Sequence, residues 1–269
     1  MKKVLLVGCG HMCSALLSAW HKNNNLSVSV VDPKTYKKLT KKYNKKISVY
    51  KSINKIKNIQ KFHAVVFAVK PQIAIKVVNQ FKLIKNNKIL FISIIAGKKI
   101  NFFTKNLSSA YPIVRAMPNM PALFGKGMTC LVSNNLSNKN HKSLAGYLFK
   151  LVGKIIWLKK ELDIDKITAI SGSGPAYYFL FIEKLISEAT KLGLQQNIVK
   201  ELVYQTAIGS IYMLTNTNKN AKELKNIIAV KGGTTESAIN VFEKNAKFEK
   251  IIFQALKAAF NKAKMLGKN

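Results

Sequence analysis

Arginine is all but missing from this 269-residue chain, where Arg115 stands alone among dozens of lysines. Acidic residues are scarce as well: Lys+Arg 45 face Asp+Glu 11, a formal net charge of +34. An excess of that size suggests nucleic acid or an anionic membrane surface as a partner. The missing guanidinium groups weaken the suggestion, because arginine reads bases and phosphates through paired hydrogen bonds that lysine cannot copy. The lysines are spread along the chain and make no basic block interleaved with aromatics. Weak polyanion binding at low salt is expected, and no specific nucleic-acid function. A coding sequence rich in A and T would by itself enrich lysine, asparagine and isoleucine.

Cysteine is nearly absent too. Cys9, Cys13 and Cys130 are odd in number and contain no Cys-x-x-Cys, which argues against a disulfide framework and a zinc site. His11, His21, His63 and His141 are scattered, so no metal is expected. No apolar run approaches the ~20 residues of a membrane helix. The short run after Met1 meets glycine too early for a secretory leader. The expectation is a soluble, cytoplasmic protein with no membrane partner.

What remains is enough for a sizeable core. Hydrophobic residues make up 48% of the chain, and the length suits two domains. Lys3 to Val7 reads as a buried strand, Ser14 to Trp20 as a helix, and Leu26 to Val31 as a second strand ending at Asp32. Between the first two lies Gly8-Cys9-Gly10-His11-Met12-Cys13. Strand, glycine turn, helix, strand, acid is the order of a dinucleotide-binding unit. The first glycine allows the turn, the second lets the backbone meet a pyrophosphate, and the third position must be small so that helix and strand can pack. Cys13 fills that third position. Asp32, the only acid before Glu161, can bond the ribose hydroxyls of NAD or simply start a turn before Pro33. Lys34, Lys37 and Lys38 lie near enough to hold a 2′-phosphate, so NADH and NADPH both stay open.

Further strands are expected at Ile47 to Tyr50, Ala64 to Val69, Ile89 to Ile95, Thr129 to Val132 and Lys154 to Leu158, with helices at Tyr36 to Lys42, Pro71 to Phe81 and Leu144 to Val152. Loops after the strands of such a sheet line the ligand crevice. Ala68, Val69, Lys70 and Pro71, and then Ala96 and Gly97, fall there. Three of only six prolines lie in Tyr111 to Ala122 and suggest an extended path. A lone arginine within it suggests a buried or bidentate partner for Arg115. A dinucleotide domain over 1–160 is expected, followed by an all-helical domain over 161–269. The helices are expected over Asp163 to Leu192, Ile198 to Leu214, Leu224 to Val230, Ser237 to Glu243 and Phe248 to Met265. Ser171-Gly172-Ser173-Gly174-Pro175 breaks the first of them. The Asn/Lys-rich patches 22–25, 85–88 and 216–222 read as loops. Lys231-Gly232-Gly233-Thr234-Thr235-Glu236 reads as a tight turn opening a helix, with a threonine at the N-cap and free N–H groups behind it that make a small anion site.

Taken together, these motifs resemble the pyrroline-5-carboxylate reductase family nearly end to end. The residues that carry the resemblance are Gly8-Cys9-Gly10-His11-Met12, Phe67-Ala68-Val69-Lys70-Pro71-Gln72, Arg115 to Ala122, Ser171 to Tyr177, and Gly232-Gly233-Thr234-Thr235. The departures are Cys13 for a Gly or Ala, Met120 for a Thr, Lys231 for a Pro, and Asp32 for a small polar residue. The resemblance implies an α/β Rossmann domain, a doubly wound parallel sheet, and an all-α C-terminal dimerisation domain that interlocks with a second copy as a homodimer or larger homo-oligomer. It implies reduction of the cyclic imine 1-pyrroline-5-carboxylate to L-proline, the last step of proline biosynthesis, by hydride from NADPH or NADH.

The substrate then brings one carboxylate and one ring nitrogen. Backbone N–H groups of Gly233, Thr234 and Thr235, freed by Gly232, would hold the carboxylate, and the Thr235 hydroxyl would bond the nitrogen. Ser171 and Ser173 are further candidates for either group. The cofactor would lie on Gly8, Cys9, Gly10, His11, Met12, Asp32, Ala68, Val69, Lys70, Pro71, Ala96 and Gly97. Two other readings compete. One is a hydroxy-acid dehydrogenase with the same two-domain plan, for which Lys184 and Lys191 stand in no suitable motif. The other is a lysine-rich nucleic-acid-binding protein, which would bind with a steep salt slope.

Overall fold

The computed structural model of the chain describes residues 1–44, 46–82, 84 and 88–267. Short β-branched runs become eight strands: β1 (Lys2–Val7), β2 (Leu26–Val31), β3 (Ser48–Tyr50), β4 (Ala64–Phe67), β5 (Leu90–Ser93), β6 (Ile113–Met117), β7 (Gly127–Ser133) and β8 (Gly153–Trp157). They form one sheet in the order β3-β2-β1-β4-β5-β6-β7-β8. Every neighbouring pair is parallel except β6 and β7, which are antiparallel. The helices are α1 (His11–Trp20), α2 (Tyr36–Tyr43), α3 (Ala74–Val78), α4 (Ile100–Asn106), α5 (Lys139–Lys150), α6 (Asp163–Ile167), α7 (Gly174–Thr190), α8 (Gln196–Asn216), α9 (Ala221–Ile228), α10 (Thr234–Glu243) and α11 (Lys247–Leu266).

The central strands β1, β2, β4, β5 and β6 are buried on both faces, which is why they read as largely unbroken apolar runs rather than alternating ones; the edge strands β3 and β8 are not. Successive residues of β1 enter different cores. Val4 and Leu6 join Leu16, Leu17 and Trp20 of α1 and Leu148 and Phe149 of α5. Leu5 and Val7 join Phe67, Phe81, Phe91 and Phe103 on the other side. In that second core Phe67 stacks on Phe91 at 5.8 Å and meets Phe81 edge-on at 5.2 Å. The first core is tied by the Trp20 indole, which donates to the Leu148 carbonyl at 2.8 Å.

Three local points depart from the sequence reading. Ile100–Asn106 is a helix not foreseen, because Ile, Phe and Phe are strand formers and only the burial of Phe103 selects the helix. The helix expected over Pro71 to Phe81 is α3 flanked by 3₁₀ turns at Pro71–Ile73 and Asn79–Phe81. The path through Tyr111 to Ala122 is extended only to Asn119; Met120–Phe124 is a 3₁₀ turn with Pro121 at its start, where a missing N–H costs nothing. Residues 85–87 of one expected loop lie outside the described residues. Elsewhere the boundaries move by a few residues.

Contacts group the chain into two compact units. The first comprises Met1 to Ser173 together with the chain from Ala259 onward, and the second Gly174 to Ala258. Within the second unit, α7 and α8 pack through Ile186, Val199 and Val203. That core is small beside the apolar surface left open: Tyr178, Phe179, Ile208 and Tyr212 are 64% or more exposed.

Candidate active site

Parallel pairing brings the C-terminal ends of β2, β1, β4 and β5 level, with Val31, Val7, Phe67 and Ser93 in register. The loops that follow are those holding Gly8, Asp32, Ala68 and Ala96. Gly8 has φ +88, and a Cβ there would lie 2.6 Å from Val69 Cγ1 and 3.0 Å from the Ala68 carbonyl. Glycine at this position is therefore what lets the first turn meet the end of β4. Gly10 caps α1 with no side-chain partner, is exposed, and has nothing within 4 Å of a built Cβ. Open N–H groups at a helix start facing free space suit a pyrophosphate.

Asp32 is more engaged than its sequence position suggests. Its Oδ2 accepts the Cys9 N–H at 2.6 Å, and its Oδ1 accepts the Lys34 and Thr35 N–H groups at 2.8 Å each. The carboxylate starts the turn after β2 and also staples the glycine turn to it. One acceptor position on Oδ2 remains for a ribose hydroxyl. His11 and Lys70 are exposed, Met12, Val69 and Pro71 half-buried. Gly97 has φ +75, and the group pressed against it is the Leu266 carbonyl, 2.5 Å from a built Cβ. Cys13 is 1% exposed and fills the packing position expected of a small residue. A hydrogen bond from Cys13 holds the Cys9 thiol below its usual value despite burial, and the same bond with burial holds Cys13 well above.

Two other motifs meet around Asn119, which is 9% exposed. Its Nδ2 donates to the Ser171 carbonyl at 3.1 Å and to Ser171 Oγ at 3.2 Å, while its Oδ1 accepts the Met128 N–H at 2.8 Å. Thr168–Gly172 is a π-helical turn closed by the Ser173 N–H on the Thr168 carbonyl at 2.9 Å, a form that recurs at functional sites. Gly172 admits Met117 Cε, 3.1 Å from a built Cβ. Arg115 does have buried partners: it donates to Glu161 at 3.1 Å and Asp165 at 3.4 Å. Asn119 as the holder of Ser171, and Glu161 and Asp165 as partners of Arg115, were not foreseen. The only signal available was that Glu161 and Asp165 are among the few acids of the chain, 11 in all.

In the second unit, the N-cap of α10 is Gly233, not a threonine; Thr234 is its first helical residue. Gly232 has φ +77, and its N–H donates to Glu236 Oε2 at 2.8 Å. Glycine takes the cap because the chain arrives left-handed and Gly233 packs on the Val230 carbonyl, 3.0 Å from a built Cβ. The first N–H groups of α10 have no side-chain cap and no partner inside the helix. Thr235 is half-buried and Thr234 exposed.

The chain as a whole is similar to known proteins. The family model described as pyrroline-5-carboxylate reductase dimerisation matches residues 161–266, and one described as NADP oxidoreductase coenzyme F420-dependent matches residues 3–97. The pyrroline-5-carboxylate reductase of Haemophilus influenzae is 31% identical over 97% of this chain and 96% of its own. The chain belongs to the pyrroline-5-carboxylate reductase family. A crystal structure of the Plasmodium falciparum enzyme with NADP bound is 34% identical, with TM-score 0.86 over 99% of this chain and 98% of that one. The family member from Coxiella burnetii is 34% identical with TM-score 0.90 at the same coverage. A prephenate dehydrogenase from Aquifex aeolicus, at 15% identity and TM-score 0.53, shares the fold alone.

Proposed function

We propose that this chain reduces 1-pyrroline-5-carboxylate to L-proline with NAD(P)H, the closing step of proline biosynthesis. It is an NAD(P)H-dependent oxidoreductase acting on a C=N bond. The observation that carries this reading is the end-to-end likeness to the NADP-bound Plasmodium falciparum enzyme.

The dinucleotide domain is assigned to 1–160 and the helical domain to 161–269. The residues fit the cofactor: Gly8 makes the turn, Gly10 leaves the space, and the start of α1 offers the donors. Cys9, His11 and Met12 complete that turn, and Asp32 keeps one acceptor for a ribose hydroxyl. Ala68, Val69, Lys70 and Pro71, with Ala96 and Gly97, would flank the nicotinamide half. When bound, the reduced nicotinamide supplies a hydride to the C=N carbon. The protein's own work is positioning. N–H groups at the start of α10, behind Gly232 and Gly233, hold the substrate carboxylate. The Thr235 hydroxyl orients the ring nitrogen, with Thr234 beside it, and the hydroxyls of Ser171 and Ser173 are further candidates for the carboxylate or the nitrogen. A protonated imine needs no further acid.

The apolar faces of α7 and α8 support assembly as a homodimer or larger ring. Three buried free thiols support a reducing, cytoplasmic setting. The sole guanidinium is held by Glu161 and Asp165, which supports reading the lysine excess as solvating charge rather than as a nucleic-acid surface.

Initial rates of imine reduction with NADH and NADPH test the activity. Thr235→Ala should lower kcat/KM by about one to three decades, the range for losing one positioned polar contact. An unchanged kcat/KM removes Thr235 from the mechanism.

A further inference from the structure

Asp32 makes more bonds than a grip on a ribose calls for. Its backbone N–H donates to the Tyr50 carbonyl at 3.2 Å, which seats it beside the end of β3. Its carboxylate then reaches two further segments. Oδ2 accepts the Cys9 N–H of the glycine turn at 2.6 Å, and Oδ1 accepts the Lys34 and Thr35 N–H groups at 2.8 Å each. Those last two donors lead into α2, which has no side-chain cap. Successive backbone N–H groups at such a place suit an anion. Here the chain supplies the anion itself.

We propose that Asp32 selects NADH over NADPH, because its carboxylate fills the backbone donors that a 2′-phosphate would use. This rests on the reading that the dinucleotide lies on the glycine turn. Neither comparison supplies the preference: the model matched over residues 3–97 is described by NADP, and the Plasmodium falciparum structure holds NADP.

An ionised carboxylate accepts hydrogen bonds and donates none. Three of its acceptor positions are taken. The fourth, on Oδ2, suits a ribose hydroxyl, which donates. A 2′-phosphate in place of that hydroxyl brings more acceptors and more negative charge to the same oxygen. The carboxylate cannot swing aside, because Cys9, Lys34 and Thr35 hold it from two segments. Lys34, Lys37 and Lys38 act in the opposite direction, and all three are exposed. One exposed ion pair is worth at most about fivefold and is screened by salt. One hydrogen bond to a charged group is worth about ten- to a hundredfold. Repulsion of the phosphate adds to that, so the carboxylate prevails at physiological ionic strength.

The test measures binding of NADH and NADPH to the full-length protein by nicotinamide fluorescence, at an ionic strength of about 0.15 M. NADH should bind at least about tenfold tighter. The native protein gives a second reading that needs no variant. As competitors against NADH, adenosine 5′-monophosphate should outdo adenosine 2′,5′-bisphosphate. In Asp32→Ser, NADH should weaken and NADPH tighten, equalising or reversing the two dissociation constants. Asp32→Asn keeps the shape without the charge and should shift their ratio the same way. Equal affinities in the native protein, or tighter NADPH, overturn the proposal. So do variants in which both cofactors weaken by one common factor, the result of a purely structural Asp32. Binding needs no imine. A protein that prefers NADH yet reduces no pyrroline carboxylate therefore upholds the selectivity while sinking the reductase reading, and binding of neither dinucleotide overturns both.

Discussion

Replacing Arg115 with methionine keeps the length of the side chain and removes its charge. In the native protein Nη1 lies 3.1 Å from Glu161 Oε1 and Nη2 3.4 Å from Asp165 Oδ1, with side-chain exposures of 4%, 24% and 8%. Glu161 Oε1 also accepts the Ile100 N–H at 2.8 Å, so this one cluster ties β6, α4 and the start of α6. Arg115→Met leaves two carboxylates facing each other with no cation. Breaking a buried ion pair from one side costs ~3–5 kcal/mol. Glu161 is a quarter exposed and water screens its share, so the lower end, ~3 kcal/mol, is expected. For a chain of this size that is a fall of roughly 6–12 °C in Tm, readable by calorimetry. Arg115→Lys keeps the charge but cannot fork across two acceptors, and should fall less. Arg115→Met combined with Glu161→Gln and Asp165→Asn should recover much of the loss, because unpaired charge rather than lost attraction does the damage. A fall of under about 1 kcal/mol in the single variant, or a triple variant no better than it, refutes the reasoning.

Gly8→Ala places a methyl 2.6 Å from Val69 Cγ1 at φ +88, adding ~1–2 kcal/mol of backbone strain besides the clash; NADPH titration should show weaker binding, and native affinity with native Tm would contradict the turn's role. Asn119→Ala leaves the Met128 N–H without its acceptor and Ser171 Oγ without its donor, a loss of ~1–3 kcal/mol. Its kcat should drop along with Tm, and a drop in Tm alone would remove Ser171 from the reaction. His63 titrates below the usual histidine value because of partial burial, then repulsion from Lys2, the N-terminal amine and Lys3. The folded protein therefore takes up that proton less readily than the unfolded chain, whose histidine titrates near ~6.5. Stability is present above that pH and lost as pH falls through it toward the lower folded value. Tm measured between about pH 5 and 8 should decline less steeply on the acid side in His63→Gln, and parallel profiles would disprove the link.

The Rossmann half was legible because each strand there is a short apolar run bounded by a turn residue. A run such as Ala64 to Val69 has few other places to go. Arg115 was legible as a buried cation because it is alone. What was hidden depended on neighbours distant in sequence. Asp32 gave no sign that its oxygens would be claimed by Cys9, Lys34 and Thr35. Ile100 to Asn106 looks like a strand until Phe103 is placed in the phenylalanine core. The reversal of β7 and β8 relative to β6 follows from where a helix is absent between β6 and β7, which local periodicity does not weigh. At Gly233 the glycine displaced the threonine as cap because of the left-handed approach at Gly232, a backbone property and not a side-chain preference.

The last turn of α11 belongs to the first unit, where Leu266 is set against Gly97. On the ribosome the first unit therefore stays incomplete until α11 has emerged, long after its first strand has left the exit tunnel. A premature stop just short of Ala259 would spare every strand and every motif, yet leave the wall beside Gly97 unfinished.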